Sequence, residues 1–131
     1  MIPIKTENEI ALLREANQIV AEVLVTLAAL VKPGVTTGAL DEEAARLIRA
    51  YGAKPSFLGY HGYPKNTCIS VEDQIIHGIP GKRKLGNGEI VSIDVGVKHR
   101  GYFGDAAVTV ACGTIDDTRR KLMDATDLAL S

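Results

Sequence analysis

Sulfur and net charge are both scarce in this sequence. Cys68 and Cys112 are the only cysteines among 131 residues. They are too few and too isolated for a disulfide framework or a zinc ribbon, and free thiols suit a reducing cytoplasm. Fifteen Lys and Arg against sixteen Asp and Glu leave a net charge of −1, so neither nucleic acid nor a membrane surface is expected as a partner. No apolar run reaches membrane length: the stretch Ile19–Val31 is broken by Glu22 and reads as a buried helix. No signal-peptide pattern opens the chain, and a cytoplasmic location is expected. The glycine-rich stretches lack the spacing of a phosphate loop, which removes nucleotide binding. There is no low-complexity tract and no flexible linker.

A hydrophobic fraction of 46% with 24% charged residues is that of a globular protein. One domain over residues 1–131 is expected, and a chain of this size buries roughly two-thirds of its unfolded surface. Thr6-Glu7-Asn8-Glu9 is a capping box, followed by Ile10, Leu13, Asn17, Val20, Leu24, Leu27 and Val31 at helical spacing, with Pro33-Gly34 as the stop. A second helix starts near Thr36 or Thr37, carries Leu40, Ala44, Leu47, Ile48 and Tyr51 on one side, and ends at Gly52. Residues 55–64 read as an ordered loop. Thr67–Val71 and Gln74–His77 read as short strands joined by a turn at Glu72-Asp73.

Two long alternating arms follow, Ile90–Val97 and Tyr102–Ala111, with Lys98-His99-Arg100-Gly101 as the turn. Asp94 faces away from Val91, Ile93, Val95 and Val97, and this turn sets it directly across from Asp105. Two carboxylates about 5 Å apart on one sheet face repel each other. Such a pair is expected to hold a cation or share a proton, and we read it as a metal site. His61 and His99 have no metal-ligand spacing to another histidine and read as surface residues. Cys68 reads as a small buried apolar residue. Thr118–Leu130 is a helical pattern with Leu122, Ala125, Leu128 and Ala129 near one face. Its segment 122–129 is similar to 13–20, as if a second copy of the helix–helix–sheet unit were beginning.

Several separated motifs carry a family resemblance. Residues 57–64 (Phe-Leu-Gly-Tyr-His-Gly-Tyr-Pro), 67–71 (Thr-Cys-Ile-Ser-Val), 76–80 (Ile-His-Gly-Ile-Pro), 88–96 (Gly-Glu-Ile-Val-Ser-Ile-Asp-Val-Gly) and 104–107 (Gly-Asp-Ala-Ala) resemble, in order, the amino-terminal half of bacterial type I methionine aminopeptidases. The resemblance implies an α/β (α+β) half pita-bread: two helices on a mostly antiparallel sheet, with a C-terminal helix. It implies that Asp94 and Asp105 hold divalent metal (Mn, Co, Fe or Zn) and that His77 touches the substrate amine or scissile amide. Phe57, Tyr60, Tyr63 and Cys68 would form the wall that receives the methionine side chain.

Complete members of that family add a second half, which supplies a histidine, two glutamates and a further catalytic histidine. None of those motifs is in this sequence. Two carboxylates offer about four oxygens where hard divalent ions take about six, so weak metal binding and little or no peptidase activity are expected of the chain alone. The expected partner is a second copy, in a homodimer, or a complementary C-terminal half; a peptide N-terminus is the substrate if activity survives. A non-enzymatic protein-binding module of the same fold is a further alternative, disfavoured by the retained Asp94, Asp105 and His77.

Overall fold

The computed structural model describes residues 2–131. Helices α1 (Glu7–Leu30) and α2 (Thr37–Ala50) come first, then strands β1 (Lys54–Pro55), β2 (Thr67–Val71), β3 (Glu89–His99) and β4 (Tyr102–Cys112), and finally helix α3 (Asp117–Leu130). Strand β3 is the centre of an antiparallel sheet. On one side it pairs β4 along its whole length; on the other it pairs β2 and then β1.

Local chemistry explains the helix ends. The Thr6 hydroxyl accepts the Glu9 amide, and the Glu9 carboxylate accepts the Thr6 amide at 2.8 Å, so both orphan donors are satisfied. Thr36 caps α2 by accepting the Ala39 amide, and Gly52 follows that helix at φ +72°. Alternation along β3 sends Val91, Ile93, Val95 and Val97 to one face, where Val20, Val23, Leu27, Leu40 and Ile48 of the two helices cover them. At about 25 cal/mol per Å² of apolar surface, this single core is the main stabilising term. The approach of α1 to the sheet is close: a Cβ at Gly104 would lie 2.6 Å from the Ala16 carbonyl.

Four expectations need correction. The hairpin turn is two residues, Arg100-Gly101, both at positive φ (49° and 88°), so His99 pairs Tyr102 and the register moves by two. Asp94 then lies across from Ala107, and Asp105 across from Gly96. Arginine is not a usual residue for this turn. Tertiary contact holds it there, because the Arg100 guanidinium and His99 both reach Glu15 on α1.

Residues 74–77 form no strand. His77 has φ 58°, and a Cβ at Gly78 would sit 2.2 Å from the Ile69 carbonyl oxygen. The segment therefore passes too close to β2, and in too strained a conformation, to run as a regular strand.

In the two helices, Ile10, Asn17 and Tyr51 are exposed rather than buried. The first turns of α1 run towards the hairpin tip, where Tyr102 donates to Glu9, and the Tyr51 hydroxyl donates to Glu22, tying α2 to α1. Finally, α3 buries nothing. The face expected to pack, Leu122 and Leu128 included, is open to solvent. Its first turn alone is fastened, by Arg119 to the Glu72 carboxylate at 3.0 Å. Among the described residues no helix is long and apolar enough to cross a membrane.

Candidate metal and substrate site

The face of the sheet away from the helices is where the polar residues of β3 and β4 collect. Asp94 lies on this face between Cys68 of β2 and Ala107 of β4. Asp105 is its diagonal neighbour, two pairs further along beside Gly96. A shift of two residues preserves facing, so the two carboxyl groups still share one face, and the charge of Asp105 acts on Asp94. Asn17 of α1 fixes the backbone at Asp105 by accepting its amide at 3.3 Å.

These carboxylates form part of the lining of a cavity of about 570 Å³, whose other lining residues are Phe57, Tyr60, His61, Gly62, Tyr63, Pro64, Cys68 and His77. The structure thus gathers every residue singled out by the sequence, together with one it did not. His61 is exposed, as expected, and it also borders the cavity at φ 47°, with its ring edge-on to Tyr60 at 4.3 Å between centroids. A second hollow beside the end of α2, lined by Arg49, Lys54 and Leu58, has no paired titratable groups.

The wall is built by close contacts. Gly96 leaves space for Phe57: a Cβ there would fall 2.4 Å from the ring. The Tyr63 hydroxyl donates to the Thr67 carbonyl at 2.8 Å. The Gly78 carbonyl accepts the Ile69 amide at 2.8 Å, and the Gly78 amide donates to the Ser70 hydroxyl at 3.0 Å. His77 is thereby held at the rim in its left-handed conformation, with strain of about 1–3 kcal/mol of the kind found at ligand sites.

Electrostatics mark Asp94 as the unusual group. Burial, and then the charge of Asp105, push its carboxyl up to about 6, while His77 acts in the opposite sense. Its Oδ1 is buried without a hydrogen-bond partner, and such an atom normally has one. Burial likewise pushes the Tyr63 hydroxyl and the Cys68 thiol up, with Asp94 adding to both. An uncompensated oxygen beside a second carboxylate suits a divalent cation chemically. Among the described residues no cluster of three or more His, Cys, Asp or Glu is arranged for a metal.

Comparison with known proteins agrees with this geometry. The model of metallopeptidase family M24 matches residues 11–131. Methionine aminopeptidase 1 of Bacillus subtilis is 45% identical over 130 residues, covering 99% of this chain and 52% of that protein. Methionine aminopeptidase of Clostridium perfringens is 47% identical over 127 residues, covering 97% and 51%. The crystal structure of methionine aminopeptidase from Rickettsia prowazekii matches with a TM-score of 0.97 at 36% identity, over 98% of this chain and 52% of that one. The fold is accordingly the half pita-bread expected from the sequence motifs. The chain spans about half the length of the curated relatives it matches.

Proposed function

Because this chain belongs to metallopeptidase family M24, we propose that it is the amino-terminal half of a methionine-aminopeptidase-like centre, related to removal of the first methionine from new proteins in the cytoplasm. The observation that carries this is the pair Asp94 and Asp105 at an aromatic-walled cavity, with a buried Asp94 oxygen left unpartnered. Asp94 and Asp105 would hold the divalent metal that the family implies, manganese, cobalt, iron or zinc. Such an ion, when bound, polarises a carbonyl and lowers the pKa of water. His77 would contact the peptide's amino end or its first amide. Phe57, Tyr60, Tyr63 and Cys68 would receive the methionine side chain, an unbranched apolar group suited to a cavity with this lining.

Two carboxylates supply about four of roughly six oxygen ligands, so metal is held weakly and turnover by the chain alone is low or absent. The missing ligands come from a complementary C-terminal half or from a second copy. Pairing of two copies is favoured by one observation: β4 is an edge strand of eleven residues with Val108 exposed, and α3, which follows it in the chain, is unpacked. Such an edge is a template for another chain.

Manganese titration of the parent chain, Asp94→Ala and Asp105→Ala tests the site. Saturable binding lost in both variants is expected, and equal behaviour of all three would refute it. Methionine release from a Met-Ala peptide should be slight; robust metal-dependent turnover by a monomer would refute the need for further ligands. Light scattering decides the pairing, which a monomer at high micromolar concentration would exclude.

A further inference from the structure

One charged side chain among the described residues is fully buried, and it lies outside the cavity. Asp41 of α2 is 1% exposed. Its carboxylate accepts four hydrogen bonds, all from the two residues that lead into β2. Oδ1 accepts the Asn66 amide at 3.0 Å, the Thr67 amide at 2.8 Å and the Thr67 hydroxyl at 2.7 Å, while Oδ2 accepts the Asn66 side-chain amide at 2.8 Å. Among the described residues no cation pairs with it. Replacing buried polar groups by apolar side chains of similar volume is often neutral or stabilising, so stability alone is a weak reason for a carboxylate here. A charged acceptor with several donors does fix backbone position closely.

What it fixes is the cavity wall. Cys68, directly after the clamped Thr67, lies across from Asp94. The Thr67 carbonyl accepts the Tyr63 hydroxyl. The same hydroxyl reaches the Gly78 carbonyl at 3.4 Å, next to His77. One node on α2 therefore sets the start of β2 and, through it, Tyr63, Cys68 and the approach of the His77 loop. Asp94 and Asp105 stand on β3 and β4, which pair with each other along their full length, so their mutual register is set by that pairing even though β3 also pairs with β2.

We propose that Asp41 is a positioning residue for the substrate wall, holding Tyr63, Cys68 and His77 in register with the carboxylate pair without touching substrate or metal. The proposal rests on the reading of this cavity as the seat of a methionine side chain.

The test compares the parent chain with Asp41→Asn, using L-methionine and manganese as separate probes and amide hydrogen exchange as an independent readout. Asp41→Asn places an amide where Asn66 or Thr67 needs an acceptor. Methionine affinity should fall about tenfold while manganese affinity stays within about twofold, and exchange at Ile69 and Gly78 should speed about tenfold while the β3–β4 amides are unchanged. Equal acceleration of all amides, or unchanged methionine affinity in the folded variant, would overturn the proposal. Should Asp41→Asn not fold, Thr67→Val applies the same criteria, with the same pattern at smaller amplitude, since it removes one of the four donors. A parent chain that binds no methionine defeats the functional reading instead. The exchange contrast then decides Asp41 by itself, local loosening supporting the clamp and uniform loosening overturning it.

Discussion

In the metal-free chain, Asp94→Asn should be stabilising at neutral pH. Asp94 has its carboxyl raised from 3.8 to about 6 by burial and by Asp105. Between those two values the folded state binds the proton and the unfolded state releases it, so stability falls as pH rises. The cost is absent below about pH 4, grows through the interval, and is complete above about pH 6. At about 1.36 kcal/mol per pH unit the rise corresponds to roughly 3 kcal/mol. Water at the cavity mouth screens part of this, leaving about 1–3 kcal/mol. Asparagine has nearly the same shape and cannot ionise. Urea unfolding of both proteins in EDTA, from pH 4 to pH 8, measures the difference. We expect near-equal midpoints at pH 4 and an advantage for Asp94→Asn that opens towards pH 7. Manganese should raise the midpoint of the parent chain and not that of the variant, because binding to the folded state adds stability by mass action. A pH-independent difference, or a variant less stable at pH 7, would show that these two carboxylates do not oppose folding.

Other perturbations test the frame around the site. Gly96→Ala inserts a methyl into the Phe57 ring and the Ser56 hydroxyl, each 2.4 Å away; a loss of about 1–3 kcal/mol in urea unfolding and weaker methionine binding are expected. Arg119→Ala releases α3 from Glu72. Because that helix buries nothing, its amides should exchange almost freely while global stability changes by less than about 1 kcal/mol. Thr6→Ala removes the α1 cap and should lower stability by about 1 kcal/mol in thermal unfolding, with no change in manganese binding.

Much of the site was legible because its residues obey short-range rules. Asp94 and Asp105 lie on opposite arms of one hairpin, and strand alternation puts them on the same face whether the turn has two residues or four. The face survived the register error; the pairing did not. Asn17 shows a different kind of miss. Its spacing places it in an apolar stripe, yet it accepts the Asp105 amide, and a lone polar residue in such a stripe is the available signal. Asp41 sits at the same helical spacing as Ala44, Ala45 and Ile48, all buried, so an acid on an apolar face was the corresponding sign there. His61 gave no such sign, since its place in the wall depends on a positive φ between two glycines.

The sequence by itself determined the helices through their caps and stops, the long hairpin through its alternation, and the family through its ordered motifs. Tertiary structure decided the rest. The left-handed two-residue turn at Arg100-Gly101, which lies against Glu15 of α1, sets the hairpin register. The close passage of Gly78 over Ile69 keeps residues 74–77 from forming a strand. The absence of anything against α3 leaves its apolar residues in solvent. Caps and alternation are properties of neighbouring residues, whereas these outcomes depend on groups that the chain brings together only after its helices and sheet have packed.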